Sequence, residues 1–261
     1  MELVDSHCHF DFPAFDGDRA TVRARCVAQG LRGLVIPGVT AATWPRAARM
    51  AAADPLLAHA EGLHPCFLEE HAPDADLARL ERRVAEPPDG ARPVAIGEIG
   101  LDFRRPEAEH AAQEALLDAQ LAIARSHGLP VIIHCVRAHH RLTGRLRRWG
   151  GPGGVIHAFN GSAEEARTYV DSGFHIGLGG LVTHERNRRL RGLVAELPAE
   201  SVLLETDAPD MPPAGHTGER NSPEHLPAIA AAVAECRGEA VADVASRSAA
   251  NAGALFGTGQ G

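Results

Sequence analysis

The sequence predicts a (β/α)8 barrel. Eight short apolar runs alternate with longer stretches of helical periodicity, and metal-ligand residue types recur at the ends of the runs, where such barrels build their sites. The runs fall at residues 3–9, 34–39, 58–64, 93–98, 130–134, 155–159, 174–178 and 201–206. Most are continuous apolar or β-branched stretches, as expected of strands buried on both faces of a parallel sheet. An open doubly wound sheet is the alternative, but no G-x-G-x-x-G follows the first run.

The intervening segments carry helix signals. Residues 18–29 open on an acidic residue and close at Gly30, and 41–53 end at Asp54-Pro55. Residues 107–127 repeat Leu and Ala at spacings of three and four and stop at Gly128-Leu129-Pro130. Ser162 and Glu165 form a capping box ahead of 166–170, and 185–197, 223–235 and 239–256 complete the set. About 260 residues is normal for one barrel, so a single domain over 1–261 is expected, with low complexity confined to 257–261. The Pro- and Gly-rich loop 208–221 follows the last run and is expected to lie over the catalytic face.

Composition removes several chemistries. All 26 basic residues are arginine; there is no lysine. That excludes Schiff-base chemistry, a lysine base, a P-loop lysine and a carbamylated lysine bridging two metals. The net charge of -8 argues against broad coating of nucleic acid or anionic membrane, yet leaves room for a local phosphate site. Five cysteines without a C-x-x-C indicate neither a disulfide framework nor a zinc ribbon. The N-terminus lacks signal-peptide features, and no apolar run approaches about 18 residues. A soluble, reduced, cytoplasmic protein is expected, with no membrane association and no evident obligate protein partner.

The polar residues carry the functional signal. His7 and His9 end the first run, with Cys8 between them facing away. His64 ends the third, Glu98 the fourth, His134 the fifth; His157 lies in the sixth, and Glu205-Thr206-Asp207 end the eighth. With 15 histidines in 261 residues, roughly one H-x-H arises by chance, so that motif alone means little. Repetition across separate strands is different: buried, unpaired Glu98 and Asp207 would cost several kcal/mol each, a cost that a shared cation removes. Six ligands exceed one tetrahedral site, so two ions are expected. His7, His9 and Asp207 would hold the first, His134 and His157 the second, and Glu98 would bridge them. Such a pair lowers the pKa of a bound water and stabilises the attacking and leaving oxygens, with Asp207 accepting the proton.

These motifs together resemble the TatD family of metal-dependent deoxyribonucleases and hydrolases, nearly end to end and in order. They are Asp5-Ser6-His7-Cys8-His9-Phe10-Asp11, Gly62-Leu63-His64-Pro65, Gly97-Glu98-Ile99-Gly100-Leu101-Asp102, Val131-Ile132-Ile133-His134, His157-Ala158-Phe159-Asn160-Gly161-Ser162 and Leu204-Glu205-Thr206-Asp207-Ala208-Pro209. Asn221-Ser222-Pro223, Asn251 and Leu255-Phe256 match further segments, while Phe67-Leu68-Glu69-Glu70-His71 and Asp210-Met211-Pro212 resemble an uncharacterised branch. The resemblance implies a TIM-barrel metallohydrolase using two divalent ions, Mg²⁺ or Mn²⁺, with 3′–5′ exonuclease or general DNase activity. It also implies that His64 contacts the phosphate and Glu205 supports the ligands. The structural alternatives are a turn histidine before Pro65 and a buried pairing carboxylate.

The chain departs from the family in two places. It has Cys66 where many members carry a second histidine, which leaves Cys66 a spectator or a soft ligand, and Phe103-Arg104-Arg105 where an aromatic pair is common. Arg104, Arg105 or Arg137 could grip a phosphate; solvated faces are the alternative, and the favoured reading for the arginine runs at 145–148 and 186–191. With 4% aromatics no stacking platform is evident, so DNA contact is expected only locally, at an end held by the ions. The same site could cleave an ester or amide, such as aminoacyl-tRNA or a cyclic amide, and would gain weight if those arginines point away. A non-catalytic metal scaffold would show an occluded metal face. Imidazole-rich ligands suit Zn²⁺ at least as well as Mg²⁺.

Overall fold

The computed structural model describes residues 1–88 and 92–257. Eight parallel strands run β1 (Leu3–Asp5), β2 (Leu31–Ile36), β3 (Leu57–His59), β4 (Ile96–Asp102), β5 (Val131–Val136), β6 (Gly154–Ile156), β7 (Phe174–Leu178) and β8 (Val202–Leu204). They pair in sequence order as β1-β2-β3 and β4-β5-β6-β7-β8. Two seams join these sheets. At the first, Glu61 bridges Ile96, and Val94 N–H donates to His59 O at 2.9 Å. At the second, Ser6 N–H donates to Leu204 O at 3.0 Å, and the buried Asp5 carboxylate accepts from Thr206 N (3.0 Å) and Oγ1 (2.6 Å). The result is the expected (β/α)8 barrel. The β8–β1 seam brings the segment after β1 beside the segment after β8.

The helices are α1 (Arg19–Ala28), α2 (Trp44–Ala53), α3 (Pro73–Ala85), α4 (Glu107–Ser126), α5 (His139–Trp149), α6 (Ala163–Asp171), α7 (Arg188–Glu196), α8 (Leu226–Arg237) and α9 (Val241–Phe256). The Ser162–Glu165 capping box is present in both directions at the start of α6. No described helix is long and apolar enough to cross a membrane. Helix α3 was not expected: its apolar positions are only Leu77, Leu80 and Val84 among many charges, too sparse a stripe to register. Past Gly257 the expected low-complexity stretch lies outside the described residues.

Strands β1, β3, β6 and β8 are shorter than the apolar runs that predict them. Their pairing stops where the chain turns out to present its polar residues, so His7, His9, His64, His157, Glu205 and Asp207 all sit beyond strand ends rather than on them. Glu98 is the reverse. The expected strand ended there, but β4 continues to Asp102, with a register irregularity between Ile96 and Ile99 that places Glu98 within the strand.

Inside the barrel, Val4, Val35, Ile132, Val155 and Leu203 pack into one buried cluster, to which α9 adds Ala252 and Phe256. Each such side chain contributes about 1.5–3 kcal/mol relative to exposure. A larger cluster lies between strands and helices. One charge is buried at the β3–β4 seam: Glu61, fully enclosed, takes Arg83 from α3 in a fork of 2.6–2.9 Å contacts. Burial would raise Glu61, but His59 and Arg83 outweigh it and hold its carboxyl below the ordinary range.

Removing the guanidinium leaves a buried, uncompensated charge. Arg83→Ala is expected to destabilise the fold by about 3–5 kcal/mol in denaturant titration at pH 7. The deficit should narrow toward pH 4. There the lone carboxyl, its folded-state pKa raised by burial, enters the fold protonated, while the wild type begins to lose its ion pair. Arg23→Ala, at the more exposed pair with Asp54, should cost less than about 1 kcal/mol.

Candidate active site

Six residues of the polar set converge on Glu98, and its two carboxylate oxygens face different partners. Oε2 lies 3.2 Å from His7 Nε2 and 3.6 Å from His9 Nε2, and both imidazole nitrogens are within 3.6 Å of Asp207 Oδ1. Oε1 lies 2.8 Å from His134 Nδ1, 2.9 Å from His157 Nε2 and 3.0 Å from His64 Nε2. Five imidazoles and two carboxylates from six loops and strands thus form two groups that share one carboxylate. His7 Nε2 and Glu98 Oε2, both fully buried, make no hydrogen bond despite their approach. Orphaned polar atoms of this kind are costly, and a divalent cation between them would satisfy both. The residues present therefore fit a metal.

The imidazoles themselves offset the buried carboxylate. Burial works to raise Glu98, but the imidazoles of His157, His64 and His7 outweigh it and hold its carboxyl well below the usual range. Burial works to lower His157 and His134, yet the facing carboxylates overcome it and raise both. His9 is lowered, by burial first and by its neighbour His7 next. Asp207 is pushed up to about 6 by burial, against the pull of His157 and His7.

A further ring of contacts orients these side chains. Asp102 Oδ2 lies 3.1 Å from His134 Nε2, so that nitrogen donates to Asp102 and Nδ1, the nitrogen facing Glu98, is the one a metal would take in place of a proton. Asp102 is itself gripped by Arg104 and by the Cys66 thiol, which donates at 3.4 Å. Burial and then Asp102 push that thiol up to about 12, so Cys66 acts as a thiol donor here rather than a thiolate. His64 Nδ1 accepts from Cys66 N–H at 3.1 Å, which leaves its Nε2 as the donor facing the site. Glu205 is fully buried behind His157, with Oε1 3.7 Å from Nδ1, and also accepts from the backbone N–H of Ala158.

Some of this support was not expected from the sequence. Two buried glutamines on α4, seven residues apart and so on one face, act like strand partners. Gln113 pairs with both backbone groups of Asp102 (2.8 and 3.1 Å), and Gln120 does the same for Leu63 beside His64 (2.7 and 3.2 Å). Two close approaches need glycine. A Cβ on Gly177 would sit 2.5 Å from Glu205 Oε2; one on Gly100, at φ +145°, would sit 2.0 Å from His134 O.

A cavity of about 760 Å³ opens onto the cluster, lined by both candidate metal groups. Arg104 and Arg137 are in its wall; Arg105 instead pairs with Glu109 and Glu69. Among the described residues, four non-glycine residues have left-handed backbone: Arg137 (φ 56°), Ala158 (44°), Asp207 (58°) and Met211 (51°). All four line this cavity, a concentration of strain of the kind found at functional sites. The loop 208–221 contributes Asp210 and Met211 to the rim. It is held by buried Asn221, whose Nδ2 donates to the carbonyls of Thr206 (2.8 Å), Asp210 (2.7 Å) and Met211 (3.3 Å).

The family model described as TatD related DNase matches residues 4–257. The chain belongs to the TatD family. It is a TatD-family metal-dependent hydrolase. It is 39% identical over 255 residues to the uncharacterized metal-dependent hydrolase YjjV of Escherichia coli K12, covering 97% of each chain. It is 40% identical over 252 residues to the 3′-5′ ssDNA/RNA exonuclease TatD of Pantoea ananatis, covering 93% of this chain and 95% of that one. The crystal structure of the TatD homologue YjjV matches with a TM-score of 0.93 over 98% of both chains. A TatD-family hydrolase from Entamoeba histolytica, 20% identical, shares the fold at a TM-score of 0.86 over 98% of both.

For this TatD-family site, Asp102→Asn tests how His134 is held. The change is expected to weaken divalent-metal binding about ten- to a hundredfold, read by calorimetric titration of chelator-stripped protein. Unchanged affinity would separate His134 from the metal.

Proposed function

We propose that this single-domain TatD-family enzyme hydrolyses phosphodiester bonds at the 3′ ends of single-stranded nucleic acid, using two divalent ions. The carrying observation is the pair of ligand groups sharing Glu98 beneath a cavity whose wall includes Arg137, a guanidinium with no hydrogen-bond or ion-pair partner among the described residues. The relatives named as ssDNA/RNA exonucleases support the same substrate class.

His7, His9, Asp207 and Glu98 Oε2 would hold one ion; His134 Nδ1, His157 Nε2 and Glu98 Oε1 would hold the other. Ions bound there supply Lewis acidity, activating water and offsetting charge on the attacking and leaving oxygens. Asp207 takes the proton from the attacking water. His64, donating from Nε2, binds an unesterified phosphate oxygen. Glu205 acts as a positioning residue that fixes the His157 ring and the Ala158 backbone. Cleavage of a simple ester or a cyclic amide would make no use of Arg137. The imidazole-rich groups suit Mn²⁺ or Zn²⁺, and the family expectation adds Mg²⁺.

The expected result is stepwise shortening of a 5′-labelled single strand in the presence of Mg²⁺, Mn²⁺ or Zn²⁺. Glu98→Ala and Asp207→Asn should lose at least about a thousandfold in kcat/KM, a loss of several kcal/mol of transition-state stabilisation. Elemental analysis should find two ions per wild-type chain and fewer in Glu98→Ala. Preferential cleavage of aminoacyl-tRNA or simple esters, with DNA and RNA strands intact, would overturn the proposal.

A further inference from the structure

We infer that the cavity is sided: Phe12 and Phe67 receive the base of the substrate's terminal nucleotide, and Arg137 across the barrel holds a backbone phosphate upstream of the scissile one. This rests on the phosphodiester reading and adds an orientation to it. The strand order sets the geometry. Phe12 follows β1, Val39 follows β2 and Phe67 follows β3, whereas Arg137 follows β5, Asn160 follows β6 and Arg189 begins α7 beyond β7. In an eight-stranded barrel β5–β7 lie opposite β1–β3. The cavity therefore has an apolar aromatic wall facing a basic one, with the Glu98 cluster at its floor.

Each wall has the chemistry its part of a nucleotide requires. The Phe12 ring lies against His9 at 4.6 Å between centroids and 27°, leaving its other face to the cavity. Phe67 meets His64 edge-on at 5.5 Å. Both phenylalanines are only partly buried. Both lean on imidazoles that contact Glu98, so a base resting on them lies directly beside the bond to be cut. Base–aromatic stacking of this kind is indifferent to sequence because every base offers a π face.

The three arginines lining the cavity differ. Arg104, just after β4, is committed to Asp102, and Arg189, on the opposite wall, to the carbonyl and side-chain oxygens of Asn160. Arg137 is exposed and unpartnered among the described residues, and its left-handed backbone is a strained conformation at the cavity rim. Phosphate contact by such a group positions a strand without reading its sequence.

Two single strands distinguish the walls: one with an ordinary 3′-terminal nucleotide, one ending in an abasic tetrahydrofuran residue. The metal-loaded wild type is expected to prefer the first about tenfold in kcat/KM, chiefly through KM. Phe12→Ala and Phe67→Ala should erode the ratio between the two strands, with folding of the variants checked by circular dichroism; an equal fall on both strands with the ratio kept assigns the rings to supporting His9 and His64 and overturns the base wall. Phe12→Leu, which keeps apolar volume but removes the ring face, should behave as Phe12→Ala. Arg137→Ala should raise KM about tenfold for both strands and make it less salt-dependent, yet leave a dinucleotide, which has no upstream phosphate, unaffected. Equal cleavage of the two strands by the wild type, or a preference that survives both alanine variants, overturns the base wall. An Arg137→Ala effect on the dinucleotide overturns the phosphate wall. Cleavage of no strand at all by the wild type removes the phosphodiester reading itself.

Discussion

A carboxylate buried at the centre of a barrel must be compensated, and the surroundings of Glu98 are arranged to do so. Its two oxygens divide five imidazoles between them, three on one side and two on the other. The imidazoles come from segments after β1, β3 and β6 and from β5 itself, so each of those segments must deliver a ring to within about hydrogen-bond range of the same group. The local geometry follows from this requirement: the irregularity in β4 that aims Glu98 inward, the β8–β1 seam that carries Asp207 beside His7, and the left-handed turns at Ala158 and Asp207.

Precision at that centre is maintained by side chains standing in for backbone. Gln113 and Gln120 supply α4 with donor and acceptor pairs that neighbouring strands would otherwise provide, one for Asp102 and one for the residue before His64. Asp5 does the same at the β8–β1 seam through Thr206. Amide and carboxyl groups fixed in this way are costly to remove, because the partner left behind is a buried peptide group. Glu205, hidden behind His157 and admitted only because Gly177 has no Cβ, extends the arrangement one layer outward.

The architecture and the central ligand set were legible because each rests on repetition. Eight apolar runs fix the fold whatever their individual ends, and histidines and carboxylates after separate runs converge only if the runs form a closed sheet. What was not legible depended on long-range geometry. Strand ends were misplaced because an apolar run does not show where hydrogen bonding stops, and Glu98 was taken as a terminus because a charge in mid-strand is unusual. Gln113 and Gln120 had a readable signal, two polar residues seven apart on the apolar face of a helix, but their targets lie 11 and 57 residues away. Phe12 and Phe67 were invisible as a pair: with so few aromatics no local cluster exists, and only the curvature of the barrel brings both to one wall. For the arginines, composition could not separate Arg137, unpaired among the described residues, from Arg104 and Arg105, which are engaged.

The Asn221 clasp on the loop after β8 bears on how the enzyme could turn over. With three carbonyls of that loop tied to one buried amide, the mouth of the cavity is built in its working shape before anything enters. An active site that folds shut over each substrate must reopen before the next round, and a polymer held inside would have to wait or let go. A mouth with a standing rim imposes no such interruption. On the proposed function, a strand would feed forward by one residue after each cut, its shortened end advancing to the floor while the rest stays outside the barrel.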